Sequence, residues 1–274
     1  MQFGRTKIKT DVEKVNRNNV LSVLADALTA HNANRADIDY LYRYFKGDQP
    51  VLAREKEIRP EICNKIVENI ANEIVSFKTG YLLGEPIQYV SRSDYDTSKE
   101  VGELNDIMEL CNKPCVDNDI AEWLYICGVG HRLILPNSDA LISKAVPALS
   151  KGVKPDLGDE SPFSIYCLDP RSSFIVHYSG IGEKPVMGVK YVKKDDLDVV
   201  YSIWTDTEYF EIVGNELTGG EKIVKEAPNT IGSIPVIEYT LNNSRQGAFE
   251  IVLPLLDAIN DTQSDRVDGV DQFI

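Results

Sequence analysis

GAFEIVLPLLDAINDTQSDRVDGVDQFI, residues Gly247–Ile274, has two faces of opposite chemistry when it is wound into a helix at about 100° per residue. The apolar positions of one face, the apolar stripe, are Val252, Leu255, Leu256, Ile259, Val267, Val270 and Ile274. The acids of the opposite face, the acidic face, are Glu250, Asp257, Asp261, Asp265 and Asp268. The pattern predicts a long amphipathic helix. Its regular part should begin near Leu253, because Pro254 fits a first helical turn better than an interior.

The two faces allow two arrangements. A surface helix would pack the apolar stripe on its own protein body and leave the acidic face in water. A ring of such helices would instead pack the stripe against neighbouring subunits. No cap and no Gly or Pro stop signal follows the helix, so we expect the natural chain to continue beyond it.

Length and composition restrict the class of protein. The chain has 274 residues, of which 43% are hydrophobic, enough for one large or two ordinary domains. Its formal charge of −14 argues against a surface that wraps nucleic acid tightly. Five scattered cysteines and no apolar signal segment favour free thiols in a reducing compartment. No apolar run approaches the roughly 20 residues of a membrane span, so we predict no membrane insertion.

The first part of the chain reads as helical. Residues 1–17 are polar and charged, and they predict a flexible arm. Apolar spacing predicts one helix from Asn18 to about Leu28, a break at His31–Asn34, and a second helix ending at Gly47.

A third helix is predicted to begin at Pro60 and to be buried along one side. Its apolar positions are Ile62, Ile66, Ile70, Ile74, Phe77 and Tyr81. It should end where Gly84 adopts a left-handed conformation and Pro86 forbids continuation, so that an extended segment follows. Two more helices are predicted over Asp96–Leu110 and Val116–Cys127.

The second part reads as short antiparallel strands separated by turn signals, after a strand at His131–Leu135. The loose stretch Leu141–Leu157 is read as an insertion or flexible loop. The predicted strands are Ser164–Leu168, Ser173–Tyr178, Val186–Tyr191, Val199–Thr205, Glu208–Val213, Ile223–Glu226 and Ile234–Tyr239.

Several blocks of this sequence resemble one family. They are Tyr42–Gln49 (YRYFKGDQ), Asn64 with Ile66–Val75, and Gly80–Ile87 (GYLLGEPI), followed by Leu255–Asn260 with Ser264 and Asp265. In order and spacing they are similar to the bacteriophage portal proteins of the SPP1 type. The most distinctive block holds the motif residues Gly80, Tyr81, Leu82, Leu83, Gly84 and Pro86.

The resemblance implies an α+β fold with a helical body, a β-rich antiparallel wing and a long C-terminal amphipathic stem helix. The implied divisions are the arm 1–17, the mainly helical part of wing and body 18–136, the β-rich wing 137–243, and the first stem helix 244–274. The clip, second stem helix, channel loop and crown of such portals are not in this sequence. It therefore looks like a portal protein truncated after its first stem helix.

The resemblance also implies a structural role rather than an enzymatic one, with no cofactor. The full-length form is expected to assemble into a dodecameric ring at one capsid vertex, in the host cytoplasm, and to become part of the virion. Expected partners are the terminase ATPase, head-completion proteins, scaffold and capsid. Double-stranded DNA would pass through without sequence-specific binding, during packaging and again during ejection.

In such a ring the acidic face would line the channel and the apolar stripe would pack subunits together. Stacked rings of carboxylates would keep the duplex from adhering, because both carry negative charge.

Two other functions compete with this interpretation. Asp257, Asp261 and Asp265 share a face and suggest a metal-dependent nucleic-acid hydrolase. However, Asp257 and Asp265 would lie about 12 Å apart along the helix axis, too far to hold one ion together. The other alternative is a soluble interaction module whose last helix docks on a coiled-coil partner.

Zinc and nucleophilic chemistry have weaker support. Cys111, Cys115, Cys127 and His131 are four possible ligands in a compact span, but zinc would require all four to converge. Packing explains Cys127 as well, since it lies in an apolar run. We therefore predict no metal site. No Gly-x-Ser-x-Gly elbow surrounds any serine, so we predict no catalytic residues.

Overall fold

A computed structural model describes residues 4–92, 98–137, 161–194, 198–215 and 220–273. The fold is α+β, which confirms the predicted class. The helices are α1 (Val20–Phe45), α2 (Ile70–Leu83), α3 (Ser98–Leu110), α4 (Lys113–Cys127) and α5 (Leu253–Asp271). Short 3₁₀ turns lie at Pro50–Ala53 and Glu250–Val252.

The strands form two sheets. They are β1 (Lys9–Thr10), β2 (Val129–Pro136), β3 (Phe163–Leu168), β4 (Ser173–Tyr178), β5 (Pro185–Lys193), β6 (Asp198–Trp204), β7 (Glu208–Asn215), β8 (Lys222–Pro228) and β9 (Val236–Thr240). The larger sheet has the order β1-β4-β5-β6-β7-β8, and the smaller one the order β3-β2-β9. All pairings are antiparallel except that of β1 with β4. The predicted strands are confirmed to within a few residues, whereas β1 has no counterpart in the prediction.

Helix α1 joins the two main parts of the core. Its first half, with Val23 and Leu24, packs on the six-stranded sheet. Its second half, with Leu41 and Tyr44, packs with residues of α2, α4 and α5. A single helix therefore ties the β-rich part of the molecule to the helical part that carries α5.

The predicted break at His31–Asn34 is wrong, because α1 is one helix of 26 residues. Polar residues at this point bind other parts of the fold instead of ending the helix. The Asn34 amide accepts from the Thr6 backbone N–H at 2.9 Å and donates to the Thr6 carbonyl at 2.8 Å. The His31 ring stacks on Phe174 with centroids 4.4 Å apart. Single-residue propensity favours a turn here, and these tertiary contacts override it.

The prediction of a flexible arm is wrong for residues 4–17, which pack into the fold. Ile8 and Val15 are buried in the same core as the first half of α1. Between them, β1 pairs with β4, with Lys9 opposite His177. Residues 1–3 lie outside the described part of the chain.

A buried ion pair anchors this N-terminal segment. Arg5 and Glu250 have side chains 1% and 0% exposed, and Arg5 Nη2 donates to Glu250 Oε1 at 2.6 Å. The same carboxylate accepts from the Gly4 N–H at 2.8 Å and from the Gly247 N–H at 2.7 Å. Charge on a fully buried carboxylate requires this degree of compensation. The pair therefore connects the start of the described chain to the entrance of α5.

Two further predictions concern the loop Leu141–Leu157 and the start of the third predicted helix. The stretch Leu141–Leu157 lies outside the described residues. Helix α2 begins at Ile70 and not at Pro60, so the third predicted helix is ten residues too long at its start. No helix within the described residues has the length and apolar character that crossing a membrane requires.

Replacing Arg5 by Ala should lower the free energy of unfolding by about 3–5 kcal/mol, because it leaves the Glu250 charge buried without its cation. Urea denaturation followed by circular dichroism measures the change. The matched control is Arg17→Ala, whose ion pair with Glu226 is exposed, with the Arg17 side chain 70% accessible. That control should cost about 0–1 kcal/mol. Equal effects of the two substitutions would contradict the anchoring role of Arg5.

Candidate functional site

Helix α5 buries neither of its predicted faces as a whole. Its buried residues are Leu253, Leu256, Asn260, Ser264 and Asp268. They recur every three or four positions, so they form one side of the helix. The first two are apolar and belong to the core shared with α1 and α2. The last three are polar, so the C-terminal part of this helix is held to the rest of the fold by hydrogen bonds.

A non-helical segment that precedes α2 supplies those hydrogen bonds. The backbone N–H of Asn64 donates to Asp268 Oδ1 at 2.7 Å. The N–H of Ile66 donates to Ser264 Oγ at 3.0 Å, and that of Glu68 to Asn260 Oδ1 at 3.1 Å. We call these three contacts the polar ladder. They show that the segment runs antiparallel to α5.

The polar ladder works because two periods match. Four residues of an α-helix rise about 6 Å, and two residues of an extended chain span about 6.6 Å. Every second backbone N–H of the segment therefore meets a side chain of α5 that lies about one helical turn closer to the start of the helix. This explains why residues 64–68 are not helical, since the N–H groups of Asn64, Ile66 and Glu68 bond to α5 and not to carbonyls four residues back.

A buried amide network continues the polar ladder toward α1. Asn260 Nδ2 donates to Gln49 Oε1 at 2.5 Å, and Gln49 Nε2 donates to the Tyr44 carbonyl at 3.1 Å and to Asn69 Oδ1 at 3.0 Å. Asn69 Nδ2 donates to the Phe45 carbonyl at 3.1 Å. The last carbonyls of α1 are thereby satisfied. Asn69 has φ +49°, a left-handed conformation that asparagine tolerates, and α2 starts directly after it.

Two cations lie beside the C-terminal half of α5. Arg54 donates to Asp265, and Lys56 donates to Asp268. Hydrogen bonds from Lys56 and from the Asn64 backbone lower the pKa of Asp268 to about 2. The hydrogen bond to Asp265 likewise raises the pKa of Arg54. Part of the acidic face is thus neutralised within the subunit.

The prediction that Glu250 and Asp268 line a channel is wrong for this fold. Glu250 is fully buried with Arg5, and Asp268 is 1% exposed in the polar ladder. Asp257 is half-buried and accepts from the Tyr44 hydroxyl at 2.8 Å. Burial and this bond to Asp257 raise the pKa of Tyr44. Only Asp261 and Asp265 of the acidic face are exposed.

The apolar stripe is covered by the rest of the fold at some positions and exposed at others. Leu255 is 60% exposed and Val270 is 57% exposed, whereas Leu256 is buried. Val252, Ile259 and Val267 are half-buried, and Ile274 lies outside the described residues. The polar ladder fixes the rotation of α5 and so leaves Leu255 and Val270 of the stripe without an intramolecular cover.

The motif residues Gly80–Pro86 lie at the end of α2 and just beyond it. Burial along the whole predicted apolar side of this helix is wrong, because Phe77 and Tyr81 are 73% and 86% exposed and stack on each other. Leu82 is also exposed and Leu83 is half-buried. Gly84 has φ −58°, so the predicted left-handed conformation is wrong. A Cβ at position 84 would lie 2.7 Å from the Gly80 carbonyl oxygen, which accounts for glycine there.

Three of the four zinc candidates, Cys111, Cys127 and His131, engage separate partners. Cys127 is buried and contacts the carbonyls of Trp123 and Val129 at 3.3 Å, and burial raises its pKa to about 12. Cys111 contacts Ser161, while Cys115 is exposed. Within the described residues, no three His, Cys, Asp or Glu side chains are grouped closely enough to hold a metal ion.

Sequence reasoning missed a buried Ser-His-Glu cluster. His131 Nδ1 lies 2.9 Å from Ser173 Oγ, and His131 Nε2 lies 3.4 Å from Glu238 Oε1. Arg245 holds the same carboxylate with two hydrogen bonds of 2.6 and 2.9 Å. The strands β2, β4 and β9 bring these residues together from distant positions, and no local sequence signal marks them.

This cluster has the composition of a catalytic triad but not its chemistry. The Ser173 hydroxyl already donates to the Asp169 carbonyl at 2.8 Å, so His131 must donate to Ser173 and cannot accept its proton. Ser173 and His131 are also 0% and 3% exposed, which excludes a substrate. The cluster joins the small sheet to the large one.

Comparison with known proteins identifies one family whose model matches most of the chain. The family model described as phage portal protein, SPP1 Gp6-like, matches residues 25–274. The match therefore includes the polar ladder, the apolar stripe and the exposed end of α2. A search of curated proteins finds no match to this chain.

Replacing Ser264 by Ala should cost about 1–3 kcal/mol of unfolding free energy, because the partly buried Ile66 N–H loses its acceptor. Hydrogen exchange at the Ile66 amide should accelerate in parallel. Thr262→Ala is the control, since the Thr262 hydroxyl is exposed and donates to the Ala258 carbonyl of its own helix at 2.7 Å. The control should stay within about 0.5 kcal/mol of the parent. Unchanged exchange at Ile66 would contradict the polar ladder.

Asp268→Asn should make the stability of the protein fall less steeply as the pH is lowered from 5 to 2. The pKa of Asp268 falls from 3.8 to about 2 on folding, so its interactions stabilise the fold above about pH 4 and are lost as the pH falls toward 2. Urea midpoints measured between pH 5 and pH 2 should therefore drop less steeply in the variant. Asp206→Asn, at an exposed turn, is the control and should follow the parent. Parallel profiles for all three proteins would refute this role of Asp268.

Proposed function

The chain belongs to the SPP1 Gp6-like family of phage portal proteins, and we propose that it is a structural subunit of a portal ring that forms the head-tail connector at one capsid vertex. The ring provides the channel through which DNA enters during packaging and leaves during ejection. The role is mechanical and not enzymatic. The protein is then a virion component that is assembled in the host cytoplasm.

The observation that carries this proposal is the orientation of α5. The polar ladder holds one side of the helix to its own subunit, which leaves Leu255 and Val270 more than half exposed. Exposed apolar side chains repeated along a helix are typical of a surface that another protein covers. In a ring, a neighbouring subunit supplies that cover, because each subunit presents one patch to the subunit on either side. Packing of the apolar stripe between subunits follows.

The acids that line the channel in this proposal are Asp257, Asp261 and Asp265. At 100° per residue they lie on one flank of the polar ladder, while Val270 lies on the other flank and Leu255 lies opposite the ladder. One flank can therefore contact a neighbouring subunit while the other faces a lumen. Repeated carboxylates along such a lumen repel DNA phosphates, so the duplex passes without adhering.

The remaining partners follow from the same role. A terminase ATPase drives DNA into the head, scaffold and capsid proteins surround the ring during assembly, and head-completion proteins attach afterward. The exposed end of α2, with Phe77 and Tyr81, is a second apolar surface available to these contacts. None of these interactions requires a bound cofactor.

The proposal is tested by the solution mass of the 274-residue chain and of a version extended through the complete stem, measured by light scattering after size exclusion. The extended chain should form a large closed oligomer. Leu255→Glu should reduce its mass toward that of the subunit, because a buried charge in the interface costs several kcal/mol. Leu255 is exposed in the single subunit, so the variant should still fold.

Asp261→Glu is the matched control, since it places the same side chain on the acidic flank of α5. It should assemble like the parent. If the extended chain stays monomeric at high concentration, the ring proposal fails. If Leu255→Glu assembles as well as the control, the ring stands but the apolar stripe is not its contact.

A further inference from the structure

A basic groove crosses the wing between α1 and β5. It has a volume of about 610 Å³ and four cations in its lining, Arg35, Arg171, Lys190 and Lys193. Asp39 is the only acid among its described lining residues. The chain as a whole carries a formal charge of −14, so this local excess of positive charge runs against the rest of the molecule.

Arg171 is fixed at one end of the groove. Its guanidinium lies over the Tyr42 ring at 4.2 Å and within 5.4 Å of the Trp123 ring. Asp169 and Asp39 accept from it at 2.7 and 3.4 Å. Cation–π contacts and ion pairs on several sides hold the side chain in place, so the groove is formed before any ligand arrives.

Lys190 is a cation of the groove with little acidic compensation. Its ammonium donates to the Ser172 hydroxyl, and no ion pair to it is found among the described residues. Burial lowers the pKa of Lys190, and Asp169 offsets this only in part. Arg35, which is half-buried on α1, also has no ion-pair partner in the described part of the chain. An incoming carboxylate would gain two cations that form no ion pair within the described residues.

The floor of the groove is rigid and neutral. The Tyr191 hydroxyl donates to the Arg171 carbonyl at 2.7 Å, so it accepts from His31 Nε2, which lies 3.1 Å away. Burial lowers the pKa of His31 to about 4, and the ring is therefore uncharged at neutral pH. The positive charge of the groove comes from its walls, where a ligand can reach it.

We propose that this groove binds a carboxylate-rich segment of a partner polypeptide. A single small anion would gain little, because an isolated ion pair in an open groove is weak, whereas several linked carboxylates bind together. A continuous phosphate backbone fits less well than a flexible chain, since Asp39 lies among the cations and a peptide can place its spaced carboxylates on either side of it. The inference does not depend on ring assembly, and the same groove is present in a single subunit.

The experiment titrates the 274-residue chain with a ten-residue oligoglutamate peptide by isothermal calorimetry at low and at physiological salt. Binding should weaken as salt rises. The double variant Arg35→Gln and Lys190→Gln should raise Kd by about tenfold or more, as loss of two close charge pairs does. Lys222→Gln with Lys225→Gln removes the same charge from the exposed strand β8 and should leave Kd unchanged.

Three outcomes would overturn the inference. The peptide does not bind the parent chain, or both double variants lose affinity equally, which means that overall charge alone attracts it. Tighter binding of a duplex DNA of equal charge would assign the groove to nucleic acid. Ring formation by the same variants is measured separately, so a failure here leaves the portal role untouched.

Discussion

The polar ladder is the constraint on which the rest of this structure depends. The backbone N–H groups of residues 64, 66 and 68 donate to the side chains of Asp268, Ser264 and Asn260. These bonds fix both the position of α5 along its axis and its rotation about that axis. Hydrogen bonds are directional, so they specify one rotation where an apolar stripe would accept several. The side of α5 that carries Leu255 and Val270 is exposed as a consequence. The surface available for assembly is therefore set by polar contacts within the subunit.

The acids of this protein serve two different purposes. Glu250 and Glu238 are buried or nearly so, and each is held by an arginine that connects distant parts of the chain. Burial raises the pKa of Glu238, but hydrogen bonds from His131 and Arg245, together with the nearby His177 ring, hold it well below its usual range. These two carboxylates hold distant parts of the chain together through their ion pairs with arginine. Asp261, in contrast, is exposed and contributes to the field outside the molecule. Net charge alone does not distinguish the two groups.

The same division applies to the cations. Arg5, Arg245 and Arg171 are fixed by ion pairs, and Arg171 is also held by aromatic rings. Lys190 and Arg35 line a groove with little acidic compensation. A protein that is acidic overall thus keeps one basic surface between α1 and β5, opposite in sign to the side of α5 that carries Asp261 and Asp265. Two surfaces of opposite charge give the subunit two different kinds of contact.

The sequence by itself determined the α+β class, every strand except β1, the long last helix and the family. Each of these depends on local signals, such as the alternation of apolar residues between turns or the spacing of a motif. Such signals can be recognised without knowing which residues are neighbours in the folded structure. Only the tertiary structure decided that His31 and Asn34 continue a helix, that residues 64–68 are not helical, and that Glu250 and Asp268 are buried. In each case a polar side chain or a backbone N–H finds its partner far along the chain. Local periodicity cannot report such a partner, because it counts where polar groups recur and not what they bond to.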